Sequence, residues 1–317
     1  MNNKIYDPKL AQYAFDVNAH LGISEEQTAL AIAKDCGKEQ EFQEAMNNRP
    51  RGGWIFRKHA EDVPSILERI CKPSPEESSK ITNGKYILMP RTATYAQGLH
   101  ALRNACQADA NSVHPVFTLD DGSKIYRPLT FKEDITARVT DYNTLHNPDG
   151  SERTPQERLK LFTERWLDSC AGIAYKKRST KFKIMPISPQ LITIPENFNQ
   201  SYIKVDYDQM GGVELDRKDA IYNAQLTKKQ IETHPAWRAA VEDDLALLKE
   251  YRNIVFAEKK TKTAMGFWLQ SEIAEDQLRA LFVNGLDDYS DAYGDGNLDS
   301  GGSFLRVAPV VARKNNG

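Results

Sequence analysis

Near the carboxyl end, three short apolar runs, residues 264–269, 278–283 and 304–311, bracket two polar loops, and this punctuation constrains the fold more than any other feature of the chain. Each run has strand composition, so a small sheet with polar connections is expected there. The second loop, residues 286–303, is eighteen residues long and holds five Asp, four Gly, three Ser, two Tyr, two Leu, one Asn and one Ala. A loop of that length without secondary structure is uncommon in a compact domain unless it binds something or stays unstructured. Linkers rich in Gly and Ser lack aromatic residues, whereas Tyr gives rigid contact area at low entropic cost and Ser, Gly and Asn give adaptable hydrogen bonds. Tyr289 and Tyr293 therefore argue for contact.

The same loop has a second reading, from its codons. Replacing one adenine of an asparagine codon yields Asp, Tyr or Ser, and replacing both yields Gly, Ala or Leu. Together with Asn these cover every residue of 286–303, so a single mutational process could write the segment. Turn-forming loops favour Asp, Gly, Ser and Asn on their own account, which weakens the coincidence.

Upstream, Ser24-Glu25-Glu26-Gln27 is a capping box opening an apolar-faced helix through Ala29, Leu30, Ile32 and Ala33, stopped at Gly37. Residues 64–70 form a last short helix, and the proline-bearing polar stretch 72–80 is a linker. The chain is thus divided into a helical segment with its linker, 1–80, and a larger domain, 81–317. In that domain 85–89 is a strand, 93–106 a helix, and 116–119 with 124–127 a hairpin closed by Asp120-Asp121-Gly122-Ser123. Thr154-Pro155-Gln156-Glu157 opens a helix expected to run through Trp166 and Leu167. Strands over 181–186 and 190–194, a polar excursion over 197–226 and one helix over 235–256 complete the pattern.

Forty-two Lys and Arg against 44 Asp and Glu leave no electrostatic footprint for nucleic acid or acidic membranes. His20-Leu21-Gly22-Ile23-Ser24 with Thr28-Ala29 imitates a helix-turn-helix turn, and a DNA-binding regulator built on these helices is the alternative it supports. Residues 1–80 carry 11 basic and 13 acidic side chains, however, so nucleic acid is not favoured as a partner. No run reaches the length of a membrane helix, so insertion into a bilayer is not expected. The first residues lack the apolar core of a secretion signal, which makes a cytoplasmic location the default.

Gly266-Phe267-Trp268-Leu269-Gln270-Ser271-Glu272, then Arg279-Ala280-Leu281-Phe282-Val283-Asn284-Gly285, then Gly302-Ser303-Phe304-Leu305-Arg306-Val307 resemble the closing segment of C-type-lectin-fold proteins. The branch resembled includes formylglycine-generating-enzyme-like domains and the variable proteins of diversity-generating retroelements. The likeness covers about 50 of the 317 residues. It implies an α+β, C-type lectin-like fold with large insertions, preceded by the helical segment, and a variable ligand site displayed on rigid strands. It also implies that display on a virion or a cell surface is open, alongside the cytoplasmic default. An enzyme on a formylglycine-generating-enzyme-like fold is a further alternative, but the oxidase members need paired cysteines late in the chain, and none follows Cys170 here. Fold likeness alone is not function.

Single features add little chemistry. Cys36, Cys71, Cys106 and Cys170 form no CxxC pair and read as reduced thiols. His20, His59, His100, His114, His146 and His234 lack metal spacing, and Arg51-Gly52-Gly53-Trp54 is too short to cradle a phosphate. Asp295-Gly296-Asn297-Leu298-Asp299-Ser300-Gly301 imitates a calcium loop, but its twelfth position is Arg306, so a solvated acidic turn is expected. Trp54, Trp166, Trp237 and Trp268 read as core anchors, with Trp268 beside the loop, and Lys176-Lys177-Arg178 with Lys181 as a solvated basic turn.

The expectation is therefore a non-enzymatic binder without cofactor or metal. Its site comprises Leu286, Asp287, Asp288, Tyr289, Ser290, Asp291, Tyr293, Asp295, Asn297, Asp299, Ser300 and Ser303. The tyrosines would stack, and the aspartates would favour a basic protein or other macromolecular partner.

Overall fold

In the computed structural model, the structure describes residues 24–35, 38–40, 42–43, 85–147 and 149–308. The chain divides into two compact units, Met1–Ser78 and Ser79–Gly317. The helix expected at 64–70, the linker, Trp54, Cys36, Cys71, His20 and His59 lie outside the described residues.

In the first unit, helix α1 (Glu25–Asp35) begins at the expected capping box. Gln27 N donates to Ser24 Oγ and Ser24 N donates to Gln27 Oε1, each at 3.2 Å, so two amides that a helix start leaves without partners are satisfied. Ala29, Ala33 and Phe42 are buried.

The second unit is α+β. Strand β1 (Tyr86–Leu88) is followed by α2 (Tyr95–Gln107), the hairpin β2 (Val116–Thr118) and β3 (Lys124–Tyr126), α3 (Phe131–Asn143) and α4 (Pro155–Thr163). Then come β4 (Leu167–Tyr175), β5 (Lys181–Met185), α5 (Pro189–Ile192), β6 (Ile203–Lys204) and β7 (Val213–Asp216). Helices α6 (Lys228–Thr233), α7 (Pro235–Ala240) and α8 (Leu245–Lys259) precede β8 (Phe267–Trp268), β9 (Gln277–Val283), β10 (Ala292–Gly296) and β11 (Leu305–Val307). The main sheet runs β7-β5-β4-β9-β10-β8 with β6 also paired to β9, antiparallel except for β10 with β8. Separately, β1 pairs antiparallel with β11, which brings the first and last strands of the unit together.

Every residue of β4 and β9 is buried, because both faces of the sheet are covered. On one face Phe131, Ile135, Phe162, Trp237, Tyr251 and Val255 of the helices pack against Ile173, Phe182, Leu281 and Phe267. On the other, Tyr95, Leu99 and Leu102 of α2 pack with Met185, Leu278, Ala280 and Phe304. This second layer stops short of Phe282 and Tyr293, and the sheet is left open at that end.

Several expectations are corrected. Helix α4 has its capping box, Glu157 N donating to Thr154 Oγ1 at 3.2 Å, but stops at Thr163. Trp166 then takes a left-handed backbone (φ 60°), and Leu167 opens β4 rather than closing a helix. The apolar run at 190–194 is not a strand but the short α5, with Ser188 accepting from Leu191 N and Pro189 at its first position. An apolar run this short reads the same in either conformation. The single helix expected over 235–256 is two, broken where Glu242 and Asp243 adopt left-handed φ values of 53° and 57°. The run at 264–269 gives only the two residues of β8, since Met265 is also left-handed (φ 53°). The run at 304–311 gives β11, with 309–311 outside the described residues. Among the described residues no helix is long and apolar enough to cross a membrane.

Candidate ligand-binding cleft

The segment 286–303 is not a structureless loop. A 3-10 turn, Leu286–Asp288, leads into the left-handed pair Tyr289 (φ 60°) and Ser290 (φ 55°), and the chain then reverses into β10. Ser290 N donates to Gly285 O and Asn284 N to Asp291 O, both at 2.9 Å, closing the reversal. Asp291 pins it to the neighbouring strand. One of its carboxylate oxygens accepts from Gly266 N at 2.7 Å, the other from Trp268 Nε1 at 2.8 Å, and Gln225 Nε2 reaches both.

Along β10 the side chains divide between the two faces of the sheet. Ala292, Gly294 and Gly296 are buried, while Tyr293 and Asp295 are half-exposed. A Cβ on Gly294 would collide with Ile173 Cδ1 of β4, so any larger residue there must displace that buried side chain. The strand is thus seated tightly on its inner side and presents larger side chains on its outer side.

That outer side lines a cleft of about 400 Å³, within the range of ligand sites. Its floor is Asp168, Tyr95, Ala280 and Asn284, all at most 6% exposed. One wall is aromatic: Trp166 and Phe282 have centroids 5.8 Å apart, and Phe282 lies nearly parallel to Tyr293 at 5.2 Å, with a 5° interplanar angle. Trp268 extends the row beyond the cleft, 6.0 Å from Tyr293. Three paired strands, β9, β10 and β8, thus place Phe282, Tyr293 and Trp268 in a line, and Trp166, just before β4, adds a fourth ring at its end. Arg165, Asp288, Asp295, Gly296, Asn297, Ser300 and Gly302 complete the lining.

The left-handed Trp166 is held by the segment after β10. Ser303 N donates to Trp166 O and Asp168 N to Ser303 O, each at 2.9 Å, and Gly302 N donates to Asp168 Oδ2 at 2.8 Å. A Cβ on Gly302 would collide with Trp166 O, so this approach requires glycine.

Burial sets the electrostatics. It pushes the Asp168 carboxyl up to about 7, only partly offset by the Gly302 N–H and the Arg91 charge. Burial pushes Asp291 up to about 6 against the donated hydrogen bonds of Trp268, Gly266 and Gln225. Tyr293 rises to about 12, from burial first and then from Asp291, Asp288 and Asp295. Burial also raises Asp295.

Of the twelve expected site residues, the cleft gathers Asp288, Tyr293, Asp295, Asn297 and Ser300. Asp287 is exposed and pairs with Arg165 at 3.4 Å. Tyr289 is exposed but stands under Lys259 Nζ, 4.7 Å from its centroid, outside the cleft lining. Asp299 accepts from Ser201 Oγ at 2.8 Å. Leu286, Ser290, Asp291 and Ser303 are buried and lie outside the cleft lining. Missing from the expectation were Tyr95, Arg165, Trp166, Asp168, Phe282 and Asn284. One signal for them was legible: Asp168 is the single charge in the otherwise uncharged run 166–175.

The remaining features have structural partners. Asp295 and Gly296 belong to β10, and Arg306 donates to Ala105 O and Asp109, so the calcium-loop imitation does not form a loop of that kind. Among the described residues no three His, Cys, Asp or Glu side chains cluster to hold a metal. His114 accepts from Val307 N at Nδ1 (3.0 Å) and meets Arg127 O through Nε2 (2.7 Å), and burial lowers it to about 4, so it is a neutral tie between hairpin and β11. His234 caps α7. Cys106 and Cys170 are free and buried. Lys176 and Lys181 pair with Asp208 and Glu214 at 2.8 and 2.7 Å, at the β4–β5 turn.

No family model matches the chain, and no curated protein does. A search of solved structures finds one described as "Accommodation of massive sequence variation in Nanoarchaeota by the C-type lectin fold". It is 14% identical to this chain, with a TM-score of 0.43, and the match covers 69% of this chain and 97% of that one.

Proposed function

We propose that the domain following the N-terminal segment is a C-type lectin-like, non-enzymatic ligand-binding domain, and that the exposed side chains of 287–300 are the changeable part of its site. The observation that carries this reading is the split within one short segment. Ser290, Asp291, Ala292 and Gly294 are locked inward, whereas Asp288, Tyr293, Asp295, Gly296, Asn297 and Ser300 meet one cleft. A surface of Tyr, Asp, Asn and Ser on a rigid frame is what adaptable protein recognition uses. The partner fitting it best is a protein with basic character, given the carboxylates.

The codon composition supports diversification by a retroelement, but burial narrows where that can act. Tyr289 and the outward positions tolerate exchange; Gly294 and Asp291 do not. Sequencing the locus and its relatives tests this. The expected result is a near-copy of the coding segment beside a reverse transcriptase gene, differing at adenines, with protein variation concentrated at 287–289, 293, 295, 297, 299 and 300. Variation spread equally over the buried positions, or no such copy together with an invariant segment, contradicts it.

A further inference from the structure

Asp168 sits on the cleft floor, 6% exposed. Only its Oδ2 is engaged, by Gly302 N; among the described residues nothing donates to Oδ1. A buried carboxyl with an unused oxygen bordering an open cleft is destabilised until a donor reaches it. Two more carboxylates, Asp288 and Asp295, join it in the lining.

Against these three stands one basic lining residue, Arg165, whose guanidinium turns to Asp287 at 3.4 Å. Arg279 behind the cleft is already committed, donating to Asp295 O at 3.1 Å and to Asn297 Oδ1 at 2.5 Å. Beside the carboxylates runs a row of rings packed against one another, Trp166 with Phe282 at 5.8 Å and Phe282 with Tyr293 at 5.2 Å, an apolar border along which the stem of a long basic side chain can lie. The chain's own Arg91 already stands over Trp166, 4.7 Å from its centroid. An anion would meet like charges, and a neutral polyol would leave the carboxylates uncompensated.

Building on the reading of this cleft as a binding site, we propose that it receives a basic side chain, arginine or lysine, from a protein partner. The stem of that side chain would lie along Trp166, Phe282 and Tyr293, and its charged end would meet Asp168 with Asp288 and Asp295. A guanidinium can donate to Asp168 Oδ1 and to a second carboxylate at once.

The test is run at about pH 8, where Asp168 is ionised, and uses the full chain and blocked pentapeptides differing only in their central residue: arginine, lysine, citrulline or aspartate. Glucose serves as a neutral polyol probe, and the indole N–H signals of Trp166 and Trp268 are followed by NMR. Arginine and lysine peptides are expected to shift the Trp166 signal saturably at millimolar concentration, with citrulline at least about tenfold weaker. Asp168→Asn, which keeps an oxygen for Gly302 N, should weaken the arginine peptide about tenfold. Asp295→Asn, at the rim, should weaken it less. Citrulline or glucose binding as tightly as arginine would overturn the basic-side-chain assignment and leave the binding reading intact. No response from any probe would overturn the assignment as well, while the locus sequencing described above tests the binding reading separately.

Discussion

Asp168 and Asp291 are both buried carboxyls near the cleft, yet they do different work. Asp291 is surrounded by N–H donors that tie β8 to β10, whereas Asp168 accepts a single hydrogen bond, from Gly302 N, among the described residues. This difference has a consequence for stability. Folded, Asp168 keeps its proton up to about pH 7, while an unfolded chain releases it near 3.8. Between those values the folded state binds more protons than the unfolded one, so stability falls as pH rises across the interval, by about 4 kcal/mol if Asp168 acted alone. Buried Asp134, also raised, adds in the same direction, and His114, lowered by burial, opposes it below about 6.5. Asp168→Asn removes only the Asp168 share. In urea unfolding from about pH 4 to about pH 8, the variant should lose stability less steeply than the parent. Parallel pH curves would show that Asp168 does not titrate there.

Strand β10 is where element-scale reasoning decides what can vary. Gly294→Val drives a branched side chain into Ile173 and should cost about 2 kcal/mol or more. Asp295→Ser, on the cleft side, should stay within about 0.5 kcal/mol. Denaturant midpoints check the contrast, and equal costs at the two kinds of position would remove the division of faces. The strand itself was hidden in the sequence because Ala-Tyr-Gly-Asp-Gly has turn composition. Its extended form comes from tertiary pairing with Phe282 and Trp268. By contrast, the caps at Ser24 and Thr154, the 116–126 hairpin and β9 were readable, because their signals are local. The breaks at Trp166, Met265 and Glu242–Asp243 were not, since left-handed backbone at non-glycine residues is imposed by packing.

At the scale of the whole domain, two helical layers bury the sheet and leave one end of one face open, and the cleft is what that opening becomes. Of the twelve residues singled out from composition, the fold brings five to the cleft and leaves seven outside its lining. Composition marks 286–303 as unusual without telling which side chains the pleat turns inward, and the partners from β4 and β9 are distant in sequence. A frame of this kind should carry many different outer surfaces. The most direct test is a library randomised at 287, 288, 293, 295, 297 and 300 to Tyr, Asp, Ser and Asn, panned against several unrelated proteins. The account predicts folded, protease-resistant binders for different targets, each with its own residues at those positions. A library that mostly unfolds, or one that folds and yields binders to none of the targets, would contradict it.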